Sequence, residues 1–159
     1  MTVIAWDGRY IASDSQSEYG GLIGSCRKLW RGVDQDPGAV VGIVGAYRSS
    51  KLIADWFAQG GRVDSFPKLL EADNDRTAVI VVDSTLKVAT FEGNPCPIEE
   101  ELSIYGWGSG GEVAVGAMEF GASAMQACAI ACRRMSGCGG DILYYDMTDP
   151  DAKPAIWKP

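Results

Sequence analysis

The sequence predicts an α+β protein in which helices cover a mostly antiparallel sheet or two stacked sheets. Three observations carry this. Strand-like runs come in adjacent pairs across turn residues, at Asp7-Gly8 and at Asp83-Ser84-Thr85, the signature of hairpins and not of crossovers. Helical periodicity is confined to one central segment and two late ones, so helices and strands do not alternate as a parallel fold requires. Finally, 159 residues with 47% hydrophobic and 22% charged side chains suit a single domain, 1–159, that buries a core without disulfides or metals.

Thr2 to Trp6 and Tyr10 to Ala12 are short strands about the Asp7-Gly8 turn, which would pin the N-terminus into a sheet and keep it from fraying. A glycine-rich turn follows at Tyr19 to Gly24. Cys26 to Arg31 and Ala39 to Val44 then read as strands, the second ended by Gly45. From Tyr47 the period changes: Leu52, Ile53, Trp56 and Phe57 recur at helical spacing and Gly60-Gly61 closes the segment, which predicts an amphipathic helix over 46–59. A loop or brief helix is expected at Pro67 to Glu71.

Thr77 to Val82 and Leu86 to Phe91 form the second hairpin, and Pro95 and Pro97 break the chain after it. Ile104 to Trp107 is a short strand entering Gly108-Ser109-Gly110-Gly111. One helix is expected from Glu112 to about Phe120, and a second from Ser123, whose partner Gln126 completes a capping box ahead of a mostly apolar run. Ile142 to Met147 returns as a strand. Residues 148–159 read as an extended tail.

Composition excludes several function classes. A formal charge of −7 opposes nonspecific binding to nucleic acid or anionic membrane, both of which rely on Lys and Arg. No signal-peptide pattern or spanning apolar run is present, so a cytoplasmic location is expected. The five cysteines, Cys26, Cys96, Cys128, Cys132 and Cys138, are odd in number and lack paired CxxC spacing, which argues for free thiols, with no metal or cofactor expected. There is no histidine, so Ser-His and Cys-His nucleophile pairs are ruled out. Any hydrolase here needs another base.

Singly, the remaining candidates have ordinary explanations: Asp14 as a turn residue, Lys28 as a surface charge, Gly108 to Gly111 as a flexible turn. In order along the chain they say more. Thr2 behind Met1, Asp14 in ASDSQ, Lys28 in CRKLW, Gly45 in VVGIVGA and Ser109 in WGSGG together resemble the proteasome β-subunit and HslV peptidase family of N-terminal nucleophile hydrolases. The resemblance covers almost the whole chain, and its motifs are specific only in combination.

That resemblance implies a four-layer αββα sandwich of two antiparallel sheets between helical layers, with Thr2 as the nucleophile of a threonine peptidase. It implies that the base is the α-amino group of Thr2, that Lys28 paired with Asp14 tunes it, that Ser109 positions it and that the Gly45 N–H serves the oxyanion. Gly45 serves equally as the turn glycine. With Met1 attached the Thr2 nitrogen is an amide and no base, so activity is conditional on its removal, for which the small Thr2 side chain suits ordinary methionine excision. Peptide or unfolded protein as substrate, a homo-oligomeric ring and an ATP-dependent unfoldase are the implied partners.

The segment RRMSGCGG departs from the proteasome pattern, with Met135 and Cys138 where an Asp and a Ser precede the glycine pair. HslV relatives also lack that pattern, and the short chain resembles a minimal bacterial or phage member. Two other functions fit the same fold: a non-catalytic structural or assembly subunit, and an amidohydrolase acting on small substrates.

Overall fold

The first strand shows how the side chains sort. In β1 (Ile4–Trp6) and the residue before it, successive side chains alternate faces, so Val3 and Ala5 meet a helical layer while Ile4 and Trp6 meet a second sheet. All four are at most 2% exposed, and fully burying one large apolar side chain is worth about 1.5–3 kcal/mol. The N-terminus is therefore held from both sides. The structure is a computed structural model that describes residues 2–32, 36–69 and 77–158.

β1 pairs antiparallel with β2 (Tyr10–Asp14) in register Ile4 to Ser13, and the Asp7 carboxylate fixes their turn by accepting from the N–H groups of Arg9 and Tyr10. β3 (Gln16–Tyr19) and β4 (Leu22–Ser25) form a separate two-stranded hairpin. β5 (Leu29–Arg31) and β6 (Val40–Val44) open a second sheet that continues through β7 (Ala78–Val82), β8 (Val88–Glu92) and β9 (Ile98–Glu100) in order 5-6-7-8-9. β10 (Tyr105–Trp107), β11 (Ile142–Asp146) and β12 (Ala155–Trp157) join the first sheet in order 10-1-2-11-12. All strand pairs within these sheets are antiparallel.

Ile4, Trp6, Ile11, Leu29, Val40, Ile80 and Tyr145 fill the space between the two sheets. Outside the second sheet lies α1 (Ser50–Ala58), whose Ile53, Trp56 and Phe57 pack on Val41, Ile43 and Val79. Outside the first sheet lie α2 (Gly111–Glu119) and α3 (Ala124–Arg134), packed on Val3, Ala5 and Ala12. The result is the expected αββα sandwich. α3 starts with the expected capping box between Ser123 and Gln126, and the Asp7 carboxylate also accepts from Ala124 N–H, tying the helix start to the first turn. Among the described residues no helix is long and apolar enough to cross a membrane.

Several elements differ from expectation for physical reasons. The stretch read as a glycine turn, 19–24, is part of a real hairpin: only Gly20 and Gly21 turn, and its strands were hidden because Tyr19, Leu22 and Ile23 are exposed and give no buried alternation. The strand expected from Cys26 begins at Leu29, because residues 26–28 connect the β3–β4 hairpin to the second sheet. The helix over 46–59 begins with a 3-10 turn, Tyr47–Ser49. β9 forms directly behind Pro97, which begins no ladder bond of its own. Residues 155–157 of the expected tail pair with β11. The loop or brief helix at Pro67 to Glu71 runs into residues outside those described.

Candidate active site

Thr2 stands at the head of β1 and is 5% exposed. Its backbone N–H donates to Ser109 Oγ at 3.2 Å, its carbonyl accepts from Gly110 N–H at 3.2 Å, and Ser109 Oγ lies 3.4 Å from the same carbonyl. The turn between β10 and α2 thus wraps around residue 2. Gly108 in that turn has φ +82°, and a Cβ there would run into the Thr2 carbonyl, so only glycine allows the approach.

Asp14 ends β2 and has no exposed surface. Its Oδ1 accepts from Lys28 Nζ at 2.7 Å and from Val3 N–H at 2.9 Å; its Oδ2 accepts from Gly139 N–H at 3.0 Å and Gln16 N–H at 3.3 Å. Burying a carboxylate costs several kcal/mol unless it is paired and hydrogen-bonded, and here both conditions are met. Lys28 is itself 5% exposed. Lys28 Nζ and Val3 N–H share one Asp14 oxygen, so the carboxylate links the ammonium to the residue that follows Thr2.

Gly45 follows β6 with φ +103°, a conformation that favours glycine, and is exposed. The Ile43 N–H donates to the Lys28 carbonyl at 3.1 Å, so the end of β6 runs beside Lys28. Hydrogen bonds therefore join Thr2 to Ser109 and Asp14 to both Val3 and Lys28, the two sets being linked by the Thr2–Val3 peptide bond, with Gly45 on the neighbouring strand end and outside those bonds.

The backbone donors of the site were not legible as site residues. The N–H groups of Gly110 and Gly139 hold the Thr2 carbonyl and the Asp14 carboxylate, and a backbone donor leaves no side-chain signature. Cys138 is buried with its Sγ 3.7 Å from Ser109 Oγ. Burial pushes its thiol up, as it does those of Cys128 and Cys132, the last to about 12, with the charge of Asp14 adding to each. These thiols stay protonated near neutral pH and are poor nucleophiles. Among the described residues no group of three or more His, Cys, Asp or Glu side chains could hold a metal.

No protein-family model matches the chain, and no curated protein matches it. Solved structures do. The chain is 20% identical to Thiobacillus denitrificans BPH in complex with epoxomicin, with a TM-score of 0.68 over 94% of this chain and 100% of that one. A second structure of that BPH gives 20% identity and 0.67 over 93% and 99%. HslV from Trypanosoma brucei gives 19% identity and 0.64 over 91% and 98%. The fold is that of the HslV and proteasome β-subunit type of N-terminal nucleophile hydrolase.

Proposed function

We propose that the chain is a threonine peptidase of the HslV and proteasome β-subunit kind, cleaving peptide bonds through an acyl-enzyme on Thr2. The observation that carries this is the Thr2 nitrogen, hydrogen-bonded to Ser109 and set beside a buried Lys28–Asp14 pair in a protein without histidine. Once the peptide bond before Thr2 is cut, that nitrogen is an amine. An α-amino group has an ordinary pKa of about 7.7–8.0, so a useful fraction is neutral near pH 7.5.

The chemistry needs no cofactor. The amine takes the Thr2 hydroxyl proton, directly or through one water, as Oγ1 attacks the substrate carbonyl carbon. The Lys28 ammonium favours negative charge on that oxygen and disfavours a second cation next to it. The Gly45 N–H is the oxyanion donor, a role worth about 3 kcal/mol in comparable sites. Collapse breaks the C–N bond, the proton goes to the leaving amine, and an ester remains on Thr2. Water then hydrolyses the ester with the same amine as base.

Peptide or unfolded protein is the substrate class, in a homo-oligomeric ring fed by an ATP-dependent unfoldase. Turnover of a fluorogenic peptide, with intact mass in parallel, tests the peptidase. Activity in chains that begin at Thr2, lost in Thr2→Ala, is expected. Undiminished activity in Thr2→Ala would refute it, and a processed but inert protein would indicate the assembly role. Hydrolysis confined to small amides would indicate the amidohydrolase.

A further inference from the structure

Away from Thr2, a surface cleft of about 300 Å³ opens where the β3–β4 hairpin leaves β2, against β11 and the entry to β12. Ser15 lines it and is 3% exposed, yet its Oγ has no hydrogen-bond partner. Gly140, with φ +74°, leaves that hydroxyl its space, since a Cβ there would lie 2.5 Å from Oγ. A buried hydroxyl left unpaired is costly, which marks a place that a bound group completes.

The charges of the cleft are also left open. Arg27 is anchored through Nε to the Leu29 carbonyl at 2.6 Å and through Nη2 to Tyr145 Oη at 2.5 Å, and no hydrogen bond to a described residue uses its Nη1. Asp141, just before β11, forms no ion pair with Arg27 or with any other described residue. Leu143 and Pro154 add apolar surface. Opposite charges that share a cleft without closing on each other, beside an unpaired hydroxyl and an apolar wall, suit a small ligand charged at both ends. We propose that the cleft binds a short peptide by its two termini, the carboxylate on Arg27 Nη1 with the Ser15 and Ser25 hydroxyls and the ammonium on Asp141, with a side chain against Leu143 and Pro154. A dipeptide, about 7 Å long when extended, matches this space. Ser15 and Arg27 are the chain neighbours of Asp14 and Lys28, so the cleft adjoins the candidate active site while using none of its residues. Its binding does not depend on Thr2 being a nucleophile.

The test titrates L-alanyl-L-leucine into the full chain carrying Thr2→Ala, which prevents turnover of the probe, and follows backbone amide shifts by NMR. Saturable shifts at Ser15, Cys26, Asp141 and Leu143 are expected, with a Kd of about 1 mM, the scale for a ligand of this size. The N-acetylated and the C-amidated probes, each lacking one charge, should bind about 10-fold more weakly or worse. Asp141→Asn should weaken the dipeptide but not its N-acetyl form, and Arg27→Gln the dipeptide but not its amide. Ser15→Ala should weaken binding about 3-fold without lowering the urea midpoint, which separates a ligand contact from a structural one. No saturable shift, shifts centred on Gly45 and Ser109 instead, equal binding of the capped probes, or undiminished binding in Asp141→Asn would each overturn the proposal. Since no turnover is read, the peptidase and this site stand or fall separately.

Discussion

Two ion pairs of identical length serve this molecule differently. Lys28–Asp14 and Arg9–Asp146 both close to 2.7 Å, yet the first pair is 5% and 0% exposed and the second 55% and 24%. The exposed pair joins the β1–β2 turn to the end of β11 in solvent, where Coulomb attraction is screened. The buried pair sits under residue 2 and needs three backbone N–H donors as well as the lysine. A fold meets the desolvation of an internal pair only by organising much backbone around it, so position and not bond length marks the candidate site.

The largest expected effect separates chemistry from stability within the buried cluster. Thr2→Ala should abolish peptide turnover, a fall on the order of 10³-fold or more, while chemical unfolding changes little, because the substitution leaves the Asp14 donors intact. Lys28→Met strands the Asp14 charge and should cost about 3–5 kcal/mol in urea unfolding, in addition to activity. Adding Asp14→Asn to that variant removes the stranded charge, and part of the loss should return. No recovery would mean that the lysine is held by packing alone.

The exposed pair should behave oppositely. The Arg9 hydrogen bond holds the Asp146 carboxyl well below the usual carboxylate range, against an opposing burial effect and with further help from Thr148. A carboxyl lowered in the folded state adds stability that is fully present above its unfolded pKa of about 3.9 and is lost as pH falls through the folded value. Asp146→Asn should therefore cost less than about 1 kcal/mol at neutral pH and should flatten the acid limb of a stability profile. Smallest of all, serine at Leu22 and Ile23 on the exposed hairpin should change monomer stability by no more than about 0.5 kcal/mol.

Much of this architecture is legible in the sequence where burial is one-sided. Val3 to Trp6 alternate, Asp7-Gly8 turns, and Ser123 with Gln126 caps, each because a local rule and the tertiary structure agree. The β3–β4 hairpin was not legible because its side chains are outside the core. Nor was β12, whose pairing depends on a neighbour elsewhere in the chain. Of the candidate site, Thr2 is hydrogen-bonded to Ser109 and Asp14 is paired with Lys28, whereas the backbone donors at Gly110 and Gly139 required the fold to bring distant turns together.

The central claim is that Thr2 becomes an N-terminal nucleophile. Peptide mapping after treatment with a threonine-directed covalent inhibitor tests it most directly. The account predicts a single adduct on a chain that starts at Thr2, absent from Thr2→Ala. A processed chain that takes no adduct, or takes it equally when Thr2 is alanine, would contradict it.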